Sequence, residues 1–354
     1  MRILKPTLLI NKTKCKSNIR RMAEKAAINK LQFRPHFKTH QSAEVGEWFR
    51  EEGVSKITVS SVTMAEYFAA FGWKDILIAF PVNILEIDKI NALSKNVKLS
   101  LLVESVFTVN YLKDKLTGKT DIYIKIDTGY HRTGILPGDT YKIKQIIDMI
   151  QESTSLRFTG FLTHAGNTYD AKNRDEILKL HFDSVTQLNT LKKEFTNIYP
   201  GLIISVGDTP SCSVANDFDG IDEIRPGNFV FYDVMQYYLG SCTFNEIAAC
   251  LACPVVAKHE NRNEIVIYGG AVHLSQESLT DKTGKELYGL VVKLDKTGWS
   301  KILTETYVSG LSQEHGIIKT NKGVFENIQV GDLIGILPVH SCLTANLMKY
   351  SYFL

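Results

Sequence analysis

Hydrophobic positions along the chain fall into two textures, and the change between them comes near residue 246. From about residue 12 to 245, short runs rich in β-branched and aromatic residues recur: LQFRPHFK, SKITVSSV, DILIAFPV, VKLSLLVE, DIYIKIDTG, LRFTGFLTHAG, GLIISVGDTP and IDEIRPG. Between them lie segments of helical texture, among them QSAEVGEWFREEG, MAEYFAAFG, ILEIDKINALSK and YKIKQIIDMIQES. In RDEILKLHFDSVTQLNTLKKEF, Ile177, Leu180, Val185, Leu188 and Leu191 come three to five residues apart, the spacing of one buried helical face. About eight strands alternating with helices predict an α/β fold built on an N-terminal (β/α)8 TIM barrel. An open doubly wound sheet is the alternative, but no GxGxxG follows the first strand to support a dinucleotide site.

After residue 246 the segments CPVVAKH, EIVIYGGAVHLS, YGLVVKL, TETYVSG, HGIIKT and DLIGILPVHSC are strand-like, and NRN, DKTGK and NIQVGD break them as turns. The expected division is a barrel over 12–245 and a C-terminal all-β domain over 246–354, to which residues 1–11 add the short strand TLLIN. A length of 354 residues agrees, because single cores stop growing at roughly 250–300.

Composition narrows the partners. Lys+Arg 41 against Asp+Glu 38 leaves a formal charge of +3, and no basic run is interleaved with aromatics, which excludes nucleic acid or an anionic membrane as the main partner. The start MRILKPTLLINKTKCKSNIRRM is charged and amphipathic, without the long apolar segment or cleavage site of a signal peptide. The longest apolar run, IAACLACPVVA, holds a proline and is too short to span a bilayer. Cysteines at 15, 212, 242, 250, 253 and 342 are scattered, so reduced thiols and a cytoplasmic setting are expected. Cys250 and Cys253 have metal- or redox-like spacing but no second pair, and they read as a buried strand.

In a TIM barrel the reactive groups stand at the C-terminal strand ends. Those ends supply Lys38, Asp127, His164, the turn Gly207-Asp208-Thr209, and Arg225. In RPHFKTH, Lys38 lies between two histidines with little acid to neutralise it, which suits a nucleophilic amine that condenses with an aldehyde; a surface lysine is the alternative. In KIDTGYHRTGI, Arg132 either binds an anionic oxygen or pairs with Asp127 inside the loop. SVGDTP and RPGN are tight turns after the seventh and eighth runs, the loops where barrels hold phosphate, or else two ordinary glycine turns. HAGNTY offers the His164 imidazole for stacking and the Tyr169 phenol for hydrogen bonding. In PVHSCLTANLM, His340 and Cys342 are two apart and would share one side of an extended strand. Imidazole with thiolate suits Zn²⁺, and two protein ligands leave the open shell of a catalytic site.

These residues taken in order resemble the fold-type III pyridoxal-phosphate enzymes, the alanine-racemase-like proteins. Within them, the resemblance is to the metal-dependent D-serine dehydratase and D-threonine aldolase group. It runs from TLLINKTKCKSNI to PVHSCLTANL. It implies Lys38 as the Schiff-base lysine and α-proton base, Arg132 at the phenolic oxygen of pyridoxal 5'-phosphate, and His164 and Tyr169 against its ring. Gly207, Asp208, Thr209, Gly227 and Asn228 would hold the phosphate, and Arg225 matches the arginine that faces the pyridine nitrogen in the racemases. His340 and Cys342 match the Zn²⁺ pair; in the branch His-x-Cys goes with dehydratases and His-x-Asp with aldolases. The implied enzyme is a homodimeric D-serine dehydratase that yields pyruvate and ammonia from its small-molecule substrate. Asn167, where the branch often has histidine, leaves the substrate open. The alternatives are a D-threonine aldolase or 3-hydroxyaspartate dehydratase of the same family, then a racemase or a non-catalytic cofactor-binding protein.

Overall fold

The computed structural model describes residues 3–296, 298–348 and 351–353. The chain divides into two compact units, Ile19–Gly227 and the combination of Met1–Asn18 with Asn228–Leu354.

In the first unit eight parallel strands form one sheet: Gln32–Phe33, Lys56–Val59, Asp75–Pro81, Lys98–Val103, Thr120–Lys125, Leu156–Leu162, Ile203–Val206 and Glu223–Ile224. From Lys56–Val59 onward each pairs with the next in chain order, and the last pairs with the first, Gln32 opposite Glu223. The first strand stops at Phe33 because Pro35 has no N–H for a ladder. Closure comes just beyond it, where His36 bridges Thr58 and the Phe37 amide donates to the Thr58 carbonyl at 2.9 Å. The expected TIM barrel is therefore present and nearly closed, though LQFRPHFK supplies only two strand residues. Strands buried on both faces read as unbroken apolar runs, which is why Ile76–Ile78 and Leu99–Val103 are legible.

Strand-to-helix turns are set by short polar caps. Ser42, Ser61, Ser105, Asp139, Asn173 and Asp208 each accept from the backbone N–H three residues on, starting the helices Ala43–Glu51, Val62–Ala70, Val106–Lys115, Thr140–Gln151, Arg174–Thr196 and Thr209–Val214. On Arg174–Thr196 the buried side includes Ile177, Val185, Leu188 and Leu191, while Leu180 lies at its edge, half-buried.

The second unit is a mainly antiparallel sheet of eight strands. Its organising strand is Ala249–His259. Eleven residues give it length to pair with Thr7–Ile10 and Leu333–Pro338 along its first half and with Glu264–Tyr268 along its second. TLLIN thus joins this sheet as the pattern predicted. Cys250 and Cys253 are buried in the same strand, and desolvation pushes both thiols up. Among the described residues no helix is long and apolar enough to cross a membrane.

Candidate active site

The turn that carries Lys38 is pinned by its neighbour. Phe37 is fully buried, its ring centroid within 5.0 Å of those of Phe49, Phe68 and Trp73. Lys38 itself is half-buried, and its backbone N–H donates to His36 Nδ1 at 3.3 Å. Among the described residues no carboxylate pairs with its amine.

The surrounding imidazoles report what lies close. Burial first, then the cations Lys38 and Arg225 and the ring of His164, hold the His36 pKa well below its ordinary value. His164 is held down in the same way, by burial and then by Lys38, Arg132 and Lys125, despite its Nδ1 hydrogen bond to the Gly207 carbonyl. Two neutral histidines among Lys38, Arg132 and Arg225 make an electropositive site. Such a site favours an anion.

Arg132 is delivered by a loop folded around Asp127. One oxygen of that carboxylate accepts from the amides of Gly129, Tyr130 and His131 at 3.0–3.1 Å, and the other meets His131 Nδ1 at 3.0 Å. Asp127 is thus engaged by the loop backbone and His131. Arg132 is exposed and lies over the Tyr130 ring, 4.9 Å from its centroid. Tyr130 in turn meets His164 edge-on at 6.1 Å. Gly134 closes the loop at φ 115°, where a Cβ would fall 2.7 Å from the Asp127 amide nitrogen.

The Gly207-Asp208-Thr209 turn is equally crowded. A Cβ on Gly207 would sit 2.8 Å from Arg225 Cβ, and one on Gly227 would sit 2.8 Å from the His36 carbonyl oxygen. Asp208 caps Thr209–Val214 through Ser211 N at 2.7 Å and accepts from Thr168 Oγ1 at 3.0 Å. Tyr169 Oη accepts from the Thr209 amide at 3.3 Å, which puts the phenol on the turn. The Ser211 hydroxyl is buried and has no hydrogen-bond partner among the described residues.

Three features were missed in the sequence. Arg225 donates to Ser205 Oγ and to the Thr163 carbonyl, Ser205 donates to Glu223, and Glu223 accepts from Arg34 Nε at 2.7 Å, a relay buried in the barrel. Lys125 ends its strand almost wholly buried, and desolvation with the nearby Arg225 and Arg132 lowers its pKa to about 7. The third is Asp233 in the other unit.

In that unit His340 occupies the position just before the helix Ser341–Leu347, so Cys342 lies in a helical turn and not on an extended strand. Leu333–Pro338 ends, and Ser341 N donates to Asp233 Oδ2 at 2.9 Å, which turns the chain. His340 and Cys342 still meet, through a side-chain hydrogen bond. Burial opposes the imidazolium, but Cys342 with Asp233 and Glu277 raises the His340 pKa to about 9. Asn228 directs its side-chain amide at Asp233, Ser341 and Cys342.

A phosphorylated aldehyde cofactor fits the first unit, with an amine at Lys38, an orphaned hydroxyl at Ser211 and turns too tight for any Cβ. For a metal, no group of three or more His, Cys, Asp or Glu side chains is assembled among the described residues. An adjoining imidazole and thiol fit an open Zn²⁺ shell and not a closed structural one.

The family model "Alanine racemase, N-terminal domain" matches residues 10–234, and "Putative serine dehydratase domain" matches residues 248–354. The chain belongs to the alanine-racemase-like, fold-type III pyridoxal-phosphate enzymes. It is 28% identical to a D-serine dehydratase of Dictyostelium discoideum, over 96% of this chain and 90% of the relative. It is 28% identical to a D-threo-3-hydroxyaspartate dehydratase of Delftia sp. (strain HT23), over 96% of this chain and 91% of that one. The solved structure of the Delftia enzyme superimposes with a TM-score of 0.91 at 26% identity, covering 99% of this chain and 94% of that one. An alanine racemase-like protein from Idiomarina loihiensis gives 0.90 at 27% identity, covering 100% and 94%.

Proposed function

We propose that this protein is a pyridoxal-phosphate- and zinc-dependent lyase that dehydrates D-serine to pyruvate and ammonia. The observation that carries the reading is the convergence of Lys38, Arg132 and Arg225 on two neutral histidines, His36 and His164. The full-length match to relatives named as dehydratases supports it. In this reading Lys38 Nζ anchors the cofactor aldehyde. Gly207, Asp208, Thr209, Gly227 and Asn228 form the phosphate turns, with Ser211 supplying a hydroxyl. Arg132 faces the phenolic oxygen, and His164 and Tyr169 flank the ring.

Pyridoxal phosphate, when bound, supplies the electron sink for charge left at Cα. Zinc on His340 and Cys342 supplies a Lewis acid for a poor leaving group, the β-hydroxyl. Lys38 Nζ would remove the α-proton from the bound substrate. Loss of the β-hydroxyl as water and hydrolysis of the resulting enamine balance to pyruvate and ammonia. The thiolate of Cys342 favours Zn²⁺ over Mg²⁺ or Ca²⁺. A homodimer is part of the proposal and is checked by light scattering at twice the chain mass.

The test is to supply the holoprotein with D-serine, L-serine, or D-serine after chelation. Equal pyruvate and ammonia from the D-enantiomer alone, lost on chelation and restored by zinc, is the expected result. Turnover indifferent to the chelator overturns the zinc assignment, and interconversion of the serine enantiomers without pyruvate makes the protein a racemase.

A further inference from the structure

Asp233 is 1% exposed, and its carboxylate is surrounded by donors. Oδ1 accepts from Gln236 N at 3.0 Å and caps the helix Val234–Leu239. Oδ2 accepts from Asn228 Nδ2 at 2.6 Å, from Ser341 N at 2.9 Å and from Ser341 Oγ at 3.2 Å. Asn228 Nδ2 also reaches Ser341 Oγ at 3.1 Å and Cys342 Sγ at 3.5 Å. One capped carboxylate therefore fixes both the backbone between His340 and Cys342 and the amide that points at the sulfur.

We propose that Asp233 is a positioning residue for the metal pair, which holds Cys342 Sγ in ligating position through Ser341 and Asn228. A helix cap alone requires only Oδ1, whereas three of the four bonds go to Oδ2 and lead to the His340-Ser341-Cys342 turn. Partners that orient a ligand without touching the metal commonly change affinity by roughly 10- to 100-fold. An N–H aimed at sulfur stabilises the thiolate, the ligating form. Among the described residues no third His, Cys, Asp or Glu joins the pair, so orientation should matter more here than in a closed site. This inference rests on the zinc reading above.

The experiment is zinc affinity of the cofactor-loaded protein, by competition with a chromophoric chelator, for wild type, Asp233→Asn and Asn228→Ala, with cobalt substitution alongside. The expected result is a roughly 10- to 100-fold rise in Kd for both variants. Their sulfur-to-cobalt charge-transfer band should also shift or weaken, which loss of a helix cap alone would not produce. Affinity within threefold of wild type with an unchanged cobalt band overturns the inference while leaving the zinc site intact. If Asp233→Asn does not fold, Asn228→Ala decides by the same readings. A wild type that binds no zinc overturns the site itself, and the positioning role with it.

Discussion

His40 lies between Phe37 and Phe49, ring centroids 4.4 and 5.6 Å away, and burial lowers its pKa to about 3. An unfolded histidine titrates near 6.5. Because the folded value is the lower one, the unfolded chain takes up the proton first as pH falls from 6.5 toward 3. Stability is therefore full above 6.5 and is lost on acidification through that window. His36 and His164 act in the same direction. The cofactor-free protein should lose stability steeply below pH 6.5 in urea melts. His40→Gln should reduce the slope by up to about 1.4 kcal/mol per pH unit, one proton's share; an unchanged slope would show that His40 does not stay neutral in the fold. At Lys38 the expectation is simpler. Lys38→Ala should abolish both the near-visible absorbance of bound cofactor and turnover, and retained turnover would remove Lys38 from the mechanism.

Loops and caps are where element-level structure meets the site. Gly134→Ala forces a left-handed φ on alanine and drives its Cβ into the Asp127 amide. It should destabilise by roughly 1–3 kcal/mol in urea unfolding and weaken cofactor binding, because the same loop presents Arg132. Asp208→Ala removes the cap of Thr209–Val214 and the partner of Thr168. It should cost about 1–2 kcal/mol, with a lower cofactor affinity read by titration. Strands such as Asp75–Pro81 and Lys98–Val103 were legible because burial on both faces leaves a largely apolar run, whereas Gln32–Phe33 and Glu223–Ile224 are only two residues long. The helix Val106–Lys115 was not singled out: only Val109 and Leu112 are buried along it, too few to mark a period. At PVHSC an extended strand was expected, and a helix start was found. What turns the chain there is Asp233, 108 residues away, and no local spacing could reveal it.

At the scale of the molecule the same division recurs. Motifs at strand ends drew attention to Lys38, His164 and the Gly207 and Gly227 turns, since barrel topology sends strand ends to one face. The Arg34–Glu223 pair joins residues 189 apart and leaves no trace in local pattern. The relay from Glu223 through Ser205 to Arg225 was equally hidden. Family membership spans both textures of the sequence, with one model on residues 10–234 and the other on 248–354. What separates the reactions open to such a chain is the fate of the Cα–Cβ bond. D-threonine decides it, since a dehydratase and an aldolase can both act on that compound and give different products. The holoprotein with zinc should convert D-threonine to 2-oxobutyrate and ammonia; glycine and acetaldehyde in their place would contradict the dehydratase.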